Sequence, residues 1–289
     1  MIHQAWLNGH ACSDLLVEDR GLMYGDGFFT TILCYQQVLT NWPAHWRRLQ
    51  TSAQRLGFPE LNEAELLAQL SSAVLVSPEI SVIKLVITRG KGTGYAPPNA
   101  LEFKDLSLII QLSSAPQGVW AKTRSPVTQQ VVQPGLQLIV CQTPVSLNAA
   151  LAGIKHLNRL DNVLARAEVV KAGVDEGLML DSDNTVICGT QSNLVLVKAN
   201  KLLTPLLDQA GVSGTCLTSL PLVLSQAGLA YNWQQTRIRL EDLGDADALF
   251  MCNAVRGVQA VGRFRDKNYD LDVIQPINQA WWQYLIAKQ

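Results

Sequence analysis

A basic segment followed by an apolar core is missing from the start of the chain. No stretch elsewhere approaches the ~20 apolar residues of a bilayer-spanning helix. The sequence therefore reads as cytoplasmic and without a membrane partner. Net charge is nearly absent as well, with 23 Lys and Arg against 24 Asp and Glu. No broad field draws nucleic acid or anionic lipid to the surface, so any anion must be held by a local site. Close cysteine pairs are lacking: Cys12, Cys34, Cys141, Cys188, Cys216 and Cys252 are scattered singly, which argues against a zinc cluster or a disulfide framework and for reduced, mostly buried thiols. His3, His10, His45 and His156 show no ligand spacing, and no metal is expected. A GxSxG elbow is absent, which leaves a serine triad unsupported. The GxGxG-like run Arg89–Tyr95 leads into two prolines instead of a helix and reads as a loop, not a dinucleotide site.

What is present is ample apolar content, 48% of 289 residues, enough for one large or two moderate domains. Strand-like runs at 4–7 and 28–36 lead into helical segments near 43–55, with Pro43 suited to a first turn, and 63–74. Apolar runs 82–88 and 106–112 read as buried strands. The fold class is mixed, α/β or α+β. The Ser-, Pro-, Gln- and Gly-rich stretch 113–135 contains the expected linker, at 116–125, between an N-terminal α/β domain (1–115) and a C-terminal domain (126–289). Beyond it come strands near 136–141, 178–181, 194–197 and 248–251, helices near 158–171 and 214–226, and a C-terminal helix whose Trp281 and Trp282 serve packing.

Lys155 is a lone charge after an apolar stretch and just before a helix. Burial disfavours an ammonium and would free the amine as a nucleophile. Local context alone fits a snorkelling lysine at a helix entrance better. Gly211 and Gly214 precede another helix, whose amides and dipole suit an anion. A plain glycine turn is the simpler account there. Arg48, on a helix start with His45, has a donor fork matched to phosphate, although alone it reads as a surface arginine. The carboxylate pairs Asp175–Glu176 and Asp181–Asp183 fall at element ends, where solvated or capping roles are usual.

Seven motifs together resemble the fold-type IV pyridoxal phosphate enzymes: LNGH (7–10), DRGLMYGDGFFTT (19–31), HWRRLQ (45–50), GIKHLNRLDNVLAR (153–166), SNL (192–194), LLDQAGVSG (206–214) and CNAVRGVQAVGRF (252–264). The resemblance covers almost the whole chain. It implies a homodimer of two-domain subunits, with an N-terminal α/β sandwich and a C-terminal pseudo-barrel that binds the cofactor, pyridoxal 5'-phosphate. By it, Lys155 is the Schiff-base lysine, Arg48 grips the phosphate, Gly214 and Thr215 give it backbone amides, and Val212 lies against the ring. Asn253 and Ala254 border phosphate and substrate. Thr30 and Thr31 stand where aminotransferase relatives often carry a glutamate, which favours a lyase.

The implied activity is that of the family's aminodeoxychorismate lyases, conversion of 4-amino-4-deoxychorismate to 4-aminobenzoate and pyruvate, a step toward folate. The alternatives are an aminotransferase for D- or branched-chain amino acids and a non-catalytic relative. Two departures stand out. Cys188 occupies the position of the glutamate that usually faces the ring nitrogen. Thr93 is nearest to an arginine that relatives carry shortly before the loop tyrosine, here Tyr95; if that arginine meets a substrate carboxylate, then Lys91, Arg89 or Arg256 serves instead, or the substrate differs.

Overall fold

The structure is a computed structural model and describes residues 2–12, 14–116 and 135–287. The chain divides by its contacts into two units. Among the described residues, one comprises 2–116 with Ile154–Asn158 and the other 135–153 with 159–287. The expected linker lies, from residue 117 on, outside the described residues.

The first unit contains β1 (Ile2–Leu7), β2 (His10–Ala11), α1 (Arg20–Tyr24), β3 (Gly27–Tyr35), β4 (Val38–Leu39), α2 (Trp42–Arg55), α3 (Glu63–Leu75), β5 (Ile80–Thr88) and β6 (Ser107–Ser114). Its sheet runs β2-β1-β6-β5-β3-β4, antiparallel throughout. Side chains alternate across a strand. One face therefore presents Phe28, Cys34, Ile83, Leu85, Ile87, Leu108, Ile110 and Leu112 to Leu49 and Ala53 of α2 and to Leu66, Leu70 and Ala73 of α3. Pro43 starts α2 as expected, and the Asn62 side chain caps α3 by accepting from Glu65 N at 3.2 Å. The other face carries the half-buried Phe29, Thr31, Lys84, Ile109 and Gln111.

The second unit contains β7 (Leu136–Val140), α4 (Leu160–Ala172), β8 (Glu176–Leu180), β9 (Thr185–Gly189), β10 (Asn193–Lys198), β11 (Lys201–Pro205), α5 (Thr215–Gln226), β12 (Asn232–Thr236), β13 (Ile238–Arg239), α6 (Leu240–Gly244), β14 (Ala248–Asn253), β15 (Gly257–Phe264), β16 (Lys267–Asn268) and α7 (Gln275–Ala287). Its sheet order is β12-β11-β10-β14-β15-β7-β8-β9-β13, with β16 beside β15. Parallel pairs β11–β12, β15–β7 and β7–β8 interrupt the antiparallel ladder. The mixed class is thus borne out. Leu178, Val186, Leu194, Leu196, Leu249, Met251 and Val261 form the core. α7 packs Trp281 and Trp282 against the start of β15, where Gly257 has φ 65° and a Cβ would come within 2.7 Å of Trp282 Cζ2. Among the described residues no helix is long and apolar enough to cross a membrane.

Candidate active site

Lys155 is fixed through its backbone. The segment Ile154–Asn158 lies along β3, bridging Phe28 with His156, so that Phe29 N donates to Lys155 O at 2.9 Å and Leu157 N to Gly27 O at 3.0 Å. The half-buried Lys155 side chain puts Nζ 4.6 Å from the Phe29 ring centroid, while Lys84 Nζ lies 5.0 Å from the same centroid. Burial pulls the Lys84 ammonium below its ordinary pKa.

The helix-covered face of β3 holds a second group of polar side chains. Thr30 is fully buried, and its Oγ1 lies 2.6 Å from His45 Nδ1 while also accepting from Arg48 Nη2. His45 is held well below its usual pKa, first by burial and then by the charges of Arg48 and Lys155, which leaves a neutral imidazole at pH 7. Burial also lowers the Arg48 guanidinium, to about 10, and it remains cationic at neutral pH. Arg48 Nε is buried with no hydrogen-bond partner. An orphaned donor on a cation is costly unless an acceptor meets it. Lys155, Thr30, His45 and Arg48 are thus gathered in one unit.

In the second unit, α5 begins on Gly214 without a side-chain cap. The turn before it is bound on both sides: Gly153 N donates to Gly211 O at 3.0 Å, Ser213 N to Gly153 O at 2.9 Å, and Asn193 Nδ2 to Val212 O at 2.9 Å. A Cβ at Gly214 would lie 2.2 Å from Asn193 Oδ1, so this helix start must be glycine. The positive end of a 12-residue helix whose N-cap has no side-chain cap suits an anion. Thr215 is buried at its first position. Asn253 shapes the turn into β15, its Oδ1 accepting from Val255 N at 3.0 Å and Arg256 N at 2.8 Å. Ala254 and Arg256 lie half-buried in that turn. Cys188 sits buried on β9 among Cys141, Val169, Met179 and Ile187.

Two expectations need correction. Arg89 is 8% exposed and uses all three guanidinium nitrogens within its own unit: Nε to Asp26 Oδ1 at 3.0 Å, Nη1 to Gly57 O at 2.8 Å and Nη2 to Leu56 O, with the group stacked over Phe58. These bonds hold it as a brace of the fold, with each of its three nitrogens already engaged within its own unit. Lys91 and Tyr95 of the same loop are exposed. Glu176, read as solvated or capping, is 6% exposed and accepts from five donors. Its neighbour Asp175 does cap a strand end, accepting from Gln137 N at 2.8 Å.

Sequence reasoning missed Arg20 and Asp26, although both lie in the 19–31 motif. Asp26 bridges Arg20 at 2.8 Å and Arg89 at 3.0 Å. Arg20 in turn donates to the carbonyls of Gly94, Tyr95 and Ala96, clasping the 89–96 loop. Lys84 was hidden inside an apolar strand run.

A model of the family described as amino-transferase class IV matches residues 27–264. The aminodeoxychorismate lyase of Vibrio harveyi is 34% identical over 257 residues, 89% of this chain and 89% of that one. A putative branched-chain-amino-acid aminotransferase of Methanocaldococcus jannaschii is 31% identical over 241 residues, 81% of this chain and 77% of its own. The crystal structure of 4-amino-4-deoxychorismate lyase from Pseudomonas aeruginosa superposes with a TM-score of 0.79 at 34% identity, covering 92% of this chain and 93% of that one. A family match across most of the chain, joined to relatives that share a third of its residues, bears out the expected kinship: this chain belongs to the class IV aminotransferase family.

Proposed function

We propose that the chain is a pyridoxal-phosphate-dependent lyase that converts 4-amino-4-deoxychorismate to 4-aminobenzoate and pyruvate. The observation that carries this reading is the seating of Lys155, an amine held by backbone pairing to β3, against an aromatic ring and close enough to His45 for its charge to be felt there. The likeness to lyases over most of the chain supports the choice of reaction.

The residues present fit the cofactor. Arg48 offers a cation whose Nε lacks an acceptor, and the Gly214–Thr215 turn offers the positive end of a helix whose N-cap has no side-chain cap. Both are assigned to phosphate, and Lys155 Nζ to the aldehyde. Val212, Cys188, Asn253 and Ala254 are assigned to its surroundings. When bound, pyridoxal phosphate supplies an electron sink conjugated to the substrate's amine. Lys155 Nζ would stand where it can take the proton from the amine-bearing carbon and return one to the enol that leaves as pyruvate, while the remaining ring becomes aromatic. Thr30 keeps Arg48 and His45 aligned through its hydroxyl, so no second proton acceptor of changing charge stands beside the phosphate residues.

A substrate carboxylate is assigned to Lys84, with Thr31 beside it. Lys84 shares the Phe29 ring with Lys155, and no acidic partner is found for it among the described residues. Arg256 and Lys91 are the further candidates. The proposal includes a homodimer, supported by the exposed apolar face Leu160, Val163, Leu164 and Val170 on α4. It also includes a cytoplasmic location, supported by six cysteines that form no disulfide.

Incubation with 4-amino-4-deoxychorismate should release pyruvate with no keto-acid acceptor present, and Lys155→Ala should abolish it. Absence of pyruvate from the wild-type protein would sink the lyase reading. Amino transfer from a D- or branched-chain amino acid, dependent on an added keto acid, would put the aminotransferase in its place. Bound cofactor without turnover of either kind would mark a non-catalytic relative.

A further inference from the structure

We infer that Glu176 is a positioning residue whose carboxylate sets the Thr190–Asn193 turn and, through Asn193, the Val212–Gly214 turn that opens α5. This inference rests on the reading of that turn as a phosphate cradle. The chain of contacts lies wholly within the second unit. Glu176 Oε1 accepts from Gly177 N and Thr190 N, both at 3.0 Å, and from the Thr190 hydroxyl. Oε2 accepts from Ser192 Oγ at 2.7 Å and Gln191 N at 3.3 Å. Arg166 Nη1 stands 3.8 Å from Oε1 and balances the buried charge.

The donors of the turn are backbone and hydroxyl groups of residues 190–192 that a carboxylate alone can satisfy together, because both its oxygens accept and neither donates. Fixing them fixes the start of β10. Asn193, next in sequence, is 6% exposed and holds Val212 O through Nδ2, with Oδ1 against Gly214. Gln191 O receives Asn253 Nδ2 at 3.4 Å, which ties the same turn to the one that carries Ala254 and Arg256. Gly189 leaves the room required, since a Cβ there would meet Ser192 Oγ at 2.6 Å. One carboxylate therefore organises three turns whose residues are assigned to cofactor and substrate.

The test uses the full chain in two arms. In the cofactor-free protein, Glu176→Gln should speed amide exchange at Thr190–Asn193 and carry that loosening to Val212–Thr215, while β14 stays protected. Exchange that rises only at 177 and 190–192 overturns the inference, whatever the cofactor does. In the second arm, binding of pyridoxal phosphate and of pyridoxal is compared. Glu176→Gln should weaken the phosphorylated form at least ~10-fold, about 1.4 kcal/mol, and pyridoxal much less. Equal weakening of both overturns a role through the cradle. A wild-type protein that binds both equally would instead refute the phosphate reading and leave the exchange arm to decide on Glu176. Ser192→Ala, which removes one donor and keeps the charge, should give the same pattern in milder form if Glu176→Gln does not fold; no change at Val212–Thr215 in that variant counts against the inference.

Discussion

Thr30 Oγ1 and His45 Nδ1 lie 2.6 Å apart in the buried layer between β3 and α2. Arg48 Nη2 donates to the same hydroxyl oxygen, whose proton is then available to a neutral His45 in the tautomer that leaves Nδ1 unprotonated. The arrangement agrees with the lowered pKa of His45.

A depressed histidine pKa makes the unfolded chain bind a proton that the folded one refuses. Stability is fully present above the unfolded value of ~6.5 and is lost as pH falls below it toward the lowered folded value. The slope can reach about 1.4 kcal/mol per pH unit. His45→Gln keeps an acceptor for Thr30 but does not titrate. Urea unfolding at pH 5.2 and 7.2, as roughly chosen bounds of that window, should give a smaller acid loss for His45→Gln than for the wild type; equal losses would show that His45 is not the group refused its proton.

Arg48→Ala should weaken retention of pyridoxal phosphate by about 1.5–3 kcal/mol, the worth of a hydrogen bond to a charged group. It should also release Thr30 from one of its two partners. Equilibrium dialysis reads the first effect. Retention equal to that of the wild type would count against the phosphate assignment.

Apolar periodicity makes β5, β6, α2 and α3 legible, because a strand buried on both faces or a helix with one apolar stripe shows in consecutive residues. The strand β12, Asn-Trp-Gln-Gln-Thr, is not legible: it is an edge strand held by parallel pairing with β11, a relation over thirty residues of chain that leaves no local pattern. Charges mislead for a similar reason. Glu176 looks the same in sequence whether water or a turn surrounds it, and most of its donors arrive from residues 190–192. Arg89 reads as a ligand-binding arginine because its partners, Asp26, Leu56 and Gly57, lie far from it along the chain. Lys155 is the opposite case, where a seven-motif resemblance identifies a residue that local context leaves as ordinary.

Asp26→Asn should remove the charge shared by Arg20 and Arg89 and leave two largely buried guanidiniums facing a neutral amide. Breaking a buried pair by deleting one partner costs roughly 3–5 kcal/mol, and Asp26 is open enough to water to place the loss toward the lower end. Because Arg20 also clasps Gly94, Tyr95 and Ala96, the loop should loosen before the unit unfolds. Trypsin cleavage after Lys91 under native conditions should accelerate. An unchanged cleavage rate together with an unchanged urea midpoint would refute the brace.

Lys84→Met should raise KM for the substrate about tenfold with little change in kcat, since a carboxylate anchor remote from the bond that breaks contributes uniform binding. Lys84 also supplies a pH signature. Burial lowers its pKa, so its charge is lost as pH rises at a lower pH than an ordinary lysine of ~10.4 would lose it. In the wild-type protein KM should therefore climb through the alkaline range, in Lys84→Arg the climb should move to higher pH, and in Lys84→Met KM should be high and flat. A wild-type alkaline rise that persists unaltered in Lys84→Met would assign the titration to another group and remove Lys84 from the substrate's carboxylate.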